Sequence, residues 1–167
     1  MYQPYPTAGQ GPPAPMQPSA APKPVQNAVY LMYAGAALSA ISFIIGLFTV
    51  GSLKTAIHQA DPSLTTSQIN SGVTFALVIA GFFGLLGIGL WLWMAWANKG
   101  GKKWARIVAT VLFGIDTLGL ISAIARAHTV LSLVLSVLIW AVGLGAIVML
   151  WNRESSAYFE AMSAQRY

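Results

Sequence analysis

Residues 72–97, GVTFALVIAGFFGLLGIGLWLWMAWA, carry no charged side chain and are almost entirely apolar. An α-helix rises about 1.5 Å per residue, so a segment of this length crosses the roughly 30 Å hydrocarbon layer of a bilayer. Strands of membrane barrels are shorter, at about 9–11 residues, and alternate in polarity. The stretch therefore predicts a transmembrane helix.

Three further apolar runs have a similar length, and the only charge inside any of them is Asp116. Charged residues make up 8% of the 167 residues and apolar residues 56%, whereas a soluble domain carries about 25% charge. We therefore predict an all-α polytopic membrane protein, a four-transmembrane-helix antiparallel bundle, rather than a soluble enzyme. The predicted bundle covers residues 27–152, with helices at 28–51, 71–97, 104–125 and 129–151 and an outer loop at 52–70.

The distribution of basic residues predicts the orientation of this bundle. With four spans, seven basic residues fall on one side and two on the other. Cytoplasmic loops carry the excess of Lys and Arg, so both termini are predicted to be cytoplasmic. The seven are Lys23, Lys99, Lys102, Lys103, Arg106, Arg153 and Arg166, and the two are Lys54 and Arg126.

The two ends of the chain read as cytoplasmic tails. Eight of the nine prolines lie within residues 1–26, which hold a single charge, Lys23. This composition predicts a disordered, polyproline-rich tail that acts as a spacer or binds a protein partner. Residues 153–167 predict a short tail in which Tyr158, Phe159 and Met162 form a brief amphipathic turn on the membrane.

The loop between the second and third predicted spans is basic. We expect this cluster to set the topology and to attract anionic lipid at the cytoplasmic face, with partner binding as an alternative. Its basic residues lack the spread of a nucleic-acid groove, so no nucleic-acid partner is predicted. The cluster consists of Lys99, Lys102, Lys103 and Arg106.

Asp116 lies near the predicted midplane, where a carboxylate costs roughly 2.5–3.5 kcal/mol on insertion scales. We expect it to face the bundle and to be held by a neutral hydrogen-bonded clamp. A proton-coupled or ion-binding role and an oligomer contact are the alternatives. The side chains expected at similar depth are Ser39, Ser42, Ser136 and Trp140.

Glycines in the second and third spans predict close helix packing, because small residues let helices approach. Packing within the bundle is the first interpretation, and a homo-oligomer contact is the alternative. The positions are Gly81, Gly84, Gly87 and Gly119.

The predicted outer loop contains two helix-start signals. Asp61 followed by Pro62 fits a helix cap, and Thr65 with Gln68 fits a capping box. We expect two short helical extensions joined by a turn at residues 60–64. His58 lies nearby, but its spacing matches no compact metal motif, and we predict no metal, no cofactor and no catalytic residue.

The stretches WLWMAWANKGGKKWARIVATVLFGIDTL (residues 91–118) and LWNRESSAYF (residues 150–159) resemble small four-span membrane proteins of actinobacteria with a Pro-rich cytoplasmic N-terminus. The likeness covers roughly residues 30–159. It implies a bacterial plasma-membrane location and assigns no activity.

Two functions follow as hypotheses. The first is a non-enzymatic envelope scaffold or accessory subunit of a membrane complex. The alternative is a small proton- or ion-coupled transporter or channel subunit that uses Asp116. An intramembrane enzyme is a weaker third, because the polar residues inside the spans are too few.

Overall fold

A computed structural model of the chain describes residues 20–125 and 130–164, and the regular secondary structure in these ranges is helical. Four of its helices are long and apolar enough to cross a membrane, which marks the chain as a multi-pass membrane protein. The helices are α1 (Lys23–Phe48), α2 (Val50–Ala60), α3 (Thr66–Lys99), α4 (Lys103–Ala125), α5 (Val130–Leu150) and α6 (Arg153–Ala164).

Helices α1, α3 and α4 begin earlier than the predicted spans. Helix α1 starts at Lys23, with proline in its first turn, where the missing N–H would have no partner in the helix anyway. The last residues of the predicted proline-rich tail are therefore helical, and residues 1–19 of that tail lie outside the described ranges. Helix α3 has 34 residues, a length of about 51 Å, so it extends beyond a hydrocarbon layer.

Most of the predicted outer loop is helical, because α2 continues almost directly from α1 and a turn then leads into α3. Thr65 caps α3 through a complete capping box with Gln68. The Thr65 hydroxyl accepts from the Gln68 backbone N–H at 3.3 Å, and Gln68 Oε1 accepts from the Thr65 N–H at 2.9 Å. Asp61 starts no helix. Its carboxylate instead accepts from the backbone N–H of Ser63 at 3.0 Å and stabilises the turn.

The long helices are packed unevenly. Helix α1 lies against α3 and α5, and α4 packs on α5 but meets α3 much less. Going around the bundle the order is thus α3, α1, α5 and α4, with the weakest packing between α4 and α3. The main buried cluster joins α1, α3, α5 and α6, with Ala109 of α4, near the turn between α3 and α4. Its members include Val25, Ala28, Met32, Met94, Ala95, Ala146, Leu150, Tyr158 and Phe159.

Close helix approach occurs at particular glycines. A Cβ at Gly84 would lie 2.7 Å from the Phe43 ring, and one at Gly35 would lie 2.9 Å from the Trp91 ring. The other three glycines predicted to mediate packing behave differently: a Cβ there would meet nothing within 4 Å among the described residues. These three are Gly81, Gly87 and Gly119.

The last helix, α6, extends over 12 residues, where the sequence predicted only a brief turn on the membrane. It packs at the end of the bundle that carries the turn at Gly100 and Gly101 and the basic residues of 99–106. We call this end of the bundle the basic end. Tyr158 and Phe159 are buried there, at 7% and 0% exposure. The sequence predicts that the apolar side chains of this segment lie on the membrane. In the structure they lie on the protein bundle instead.

Candidate functional site

A cavity of about 240 Å³ lies among the four long helices. Its wall is apolar apart from one carboxylate, and every long helix contributes to it. The lining residues are Met32 from α1; Gly87, Leu90, Trp91 and Met94 from α3; Ala109, Leu112, Phe113, Ile115 and Asp116 from α4; and Gly143, Ala146 and Ile147 from α5.

Two aromatic rings in the wall are fixed by glycines on neighbouring helices. The Trp91 ring lies against Gly35, and the Phe113 ring would be 3.1 Å from a Cβ at Gly143. Any side chain at these glycines would push the rings inward. The cavity therefore stays open because Gly35 of α1 and Gly143 of α5 have no side chain.

Asp116 is located at the mouth of the cavity. It and Ile115 are the two lining residues that are exposed, whereas the other lining residues are buried or half-buried. The cavity therefore opens beside α4, and the weak packing between α4 and α3 leaves this side uncovered. Asp116 is the fourteenth of the 23 residues of α4, so it lies close to the middle of the span.

The structure does not form the predicted clamp around Asp116. Trp140 Nε1 donates to Thr117 Oγ1 at 3.0 Å, and Ser136 Oγ donates to the backbone carbonyl of Ser132 at 2.9 Å. Ser42 Oγ is buried without a hydrogen-bond partner among the described residues, and Ser39 is half-buried on α1. The predicted residues lie in the same bundle, but Ser136 and Trp140 bond to other groups and Ser42 has no partner among the described residues.

Two threonines for which the sequence predicted no role join α4 to α5 and to the residue that follows it. Thr117 accepts from Trp140, as above, and Thr110 Oγ1 accepts from Trp151 Nε1 at 3.0 Å. The two threonines are seven residues apart, so they lie on one face of α4 two turns apart. A tryptophan N–H inside a membrane needs an acceptor because lipid tails offer none, so the spacing of threonines and tryptophans was the available signal. These bonds fix the α5-facing side of α4 and leave Asp116 toward the cavity.

At the basic end, two of the four predicted cationic side chains are held by aromatic rings. Lys102 Nζ lies 3.9 Å from the centre of the Trp96 ring. The Arg106 guanidinium lies 4.3 Å from the centre of the Trp151 ring and donates to Ser156 Oγ of α6 at 2.9 Å. Lys99 and Lys103 are exposed. The basic cluster is thus partly built into the protein surface and partly free for contacts.

The turn of the basic end fits closely against α6. Gly101 has φ +65°, and a Cβ there would lie 2.8 Å from the Met162 side chain. The Tyr158 hydroxyl donates to the Lys99 carbonyl at 3.3 Å. The loop conformation and the position of α6 are therefore mutually dependent.

No protein family, curated protein or solved structure matches this chain. Within residues 20–125 and 130–164, no three His, Cys, Asp or Glu side chains lie close enough together to hold a metal ion.

Proposed function

We propose that this chain is a non-enzymatic integral membrane protein of the bacterial plasma membrane that serves as a scaffold or accessory subunit of a membrane complex. The proposal includes an antiparallel bundle with both termini in the cytoplasm. The observation that supports it best is the exposure of Asp116 at the open side of the bundle, near the middle of a span.

A carboxyl group facing lipid is unfavourable because the hydrocarbon layer offers no hydrogen-bond partner. The neighbouring polar side chains of α4 and α5 are already bonded to each other. A partner for Asp116 therefore has to come from another molecule. A helix of a second protein, lying between α3 and α4, would cover the carboxyl group and the apolar residues around it.

The basic end provides the second docking element of the proposal. Helix α6 makes this end an ordered platform, with Phe159 fully buried beneath it. Exposed Lys99 and Lys103 beside the platform suit contact with anionic lipid, at about 1 kcal/mol per basic residue near the surface. The proline-rich segment precedes α1, whose first residues lie at the basic end. A protein partner at this end would therefore contact both the proline-rich segment and the platform formed by α6.

Site-specific crosslinking tests the proposal, and the chain contains no cysteine that would interfere. Ile115→Cys places a thiol at the cavity mouth, and Val148→Cys places one on an exposed position of α5 that does not line the cavity. In native membranes treated with a lipid-soluble crosslinker, we expect one discrete protein adduct at position 115 and none at position 148. Identical adduct patterns at the two positions would contradict the proposal.

A transporter or channel subunit is the second candidate, because a carboxylate lines the cavity. This function predicts proton- or ion-dependent flux into liposomes containing the purified protein alone, and loss of that flux in Asp116→Asn. An accessory subunit predicts no such flux. The crosslinking and flux measurements therefore separate the two functions.

A further inference from the structure

We infer that the cavity beside Asp116 receives a lysine side chain from a transmembrane helix of a different protein, with the ammonium group paired to the Asp116 carboxylate. This inference rests on the proposed function, since it specifies the chemistry of the partner that covers the open side. It depends on the volume of the cavity, the nature of its wall and the position of its single carboxylate.

The volume suits a long, unbranched side chain. An apolar protein cavity of about 150 Å³ holds a benzene molecule, so about 240 Å³ accommodates a four-carbon stem with its terminal group. A serine or threonine hydroxyl from a partner could reach the carboxyl at the mouth but would contact few of the apolar lining residues, whereas a four-carbon stem can lie along them before its ammonium group reaches Asp116. Empty apolar space forgoes packing contacts that a longer side chain would make.

The wall matches a lysine better than an arginine. The leucine and methionine side chains of the wall can contact a methylene stem, and the Trp91 and Phe113 rings add further apolar surface. An ammonium group has three donors, whereas a guanidinium has five and needs several acceptors. The wall offers one carboxylate, at Asp116. Of the two cations with a long, flexible stem, lysine therefore leaves fewer donors unpaired than arginine.

A second copy of this chain does not supply such a group from its long helices. Their basic residues lie at or near the helix ends: Lys23 begins α1, Lys99 ends α3, and Lys103 and Arg106 lie in the first turn of α4. Helix α5 contains no basic residue. Because Asp116 is near the middle of its span, the matching cation has to be near the middle of the partner helix, and this requires a different protein.

Reconstitution with model peptides tests the inference directly. The full-length protein is labelled with a donor at Gln59→Cys, an exposed position of α2, and placed in liposomes. Acceptor-labelled Leu/Ala-rich transmembrane peptides carry either one central lysine or a methionine in its place. Energy transfer then reports association. We expect the lysine peptide to bind about tenfold more tightly or better, as charge-assisted hydrogen bonds allow.

Three variants separate charge from volume. Asp116→Asn keeps the shape of the side chain and should abolish the preference for lysine. Gly87→Leu should weaken binding of both peptides at least several-fold. Gly87 lines the cavity, and a leucine side chain there would extend into open space that the peptide side chain needs. Gly89→Leu is the matched control: it lies on the same helix, also faces open space and does not line the cavity, so binding should be unchanged.

Equal association of the two peptides, or a lysine preference that persists in Asp116→Asn, overturns the inference. If crosslinks at position 115 are found in native membranes while the lysine preference is missing, the proposed function stands and only the lysine is wrong. If the position-specific crosslinks are also missing, the proposed function fails as well.

Discussion

Single residues fix the conformation of two of the turns in the described part of the chain, the one before α3 and the one before α4. Gly101 has a positive φ of 65°, a conformation that other residues adopt only with strain. Asp61 closes the turn between α2 and α3 with two hydrogen bonds from Ser63, one from the backbone and one from the hydroxyl. Each residue has a near neighbour that serves as a control.

Replacing Gly101 by alanine should destabilise the protein by about 1–3 kcal/mol, because the left-handed conformation disfavours a side chain and the new Cβ would press on Met162. Gly100→Ala should have a much smaller effect, since Gly100 has φ −76° and its Cβ would make ordinary contacts. The free energy of unfolding, measured by SDS titration in mixed micelles, compares the two. Equal losses for both variants would contradict the role of the positive φ.

The carboxyl of Asp61 should titrate below its ordinary pKa of 3.8, because the Ser63 hydroxyl and then the Ser63 backbone N–H stabilise the charged form. A lowered pKa in the folded protein adds stability at pH above 3.8, and this stability is lost as the pH falls through the folded-state pKa. Ser63→Ala should raise the pKa toward its ordinary value, with Ser67→Ala as the control. An NMR titration of the Asp61 carboxyl measures both shifts, and an unchanged pKa in Ser63→Ala would disprove the cause.

At the scale of elements, the long helices were predictable and their ends were less so. Run length and the absence of charge identify a spanning helix without knowledge of its neighbours. The capping box at Thr65 was also visible, since it involves residues three apart. The role of α6 was not predictable, because Tyr158, Phe159 and Met162 suit a membrane surface and a protein surface equally well. Contact with Gly101, some sixty residues earlier, decides between them.

Phe159→Ala should destabilise the protein by about 3–5 kcal/mol, since the ring is fully buried between α6 and the bundle. The adjacent exposed residue gives the matched control, and Glu160→Ala should change stability by less than about 0.5 kcal/mol. SDS titration again provides the measurement. If α6 instead lay on lipid, both variants would leave the unfolding free energy nearly unchanged.

At the scale of the whole molecule, the bundle combines a well-packed basic end with an open side at mid-span. The position of Asp116 along α4 can be predicted from the sequence. The residues that surround its side chain cannot. Depth along a helix follows from counting residues, whereas rotation toward a neighbour depends on packing. Here the Trp140 and Trp151 bonds to Thr117 and Thr110 set that rotation. Which side of the bundle stays open could not be deduced from periodicity alone.

The contact between α6 and the turn at Gly101 also has a consequence for biosynthesis. The turn is translated about fifty residues before α6, and domains form as the chain emerges from its N-terminal end. Met162 and Tyr158 can therefore reach the turn only after the last long helix has been made. Until then, Arg106 lacks Ser156, and the buried surface beneath Phe159 is uncovered. Before α6 is made, the chain therefore exposes an apolar surface at this end, the kind of surface that chaperones bind during folding.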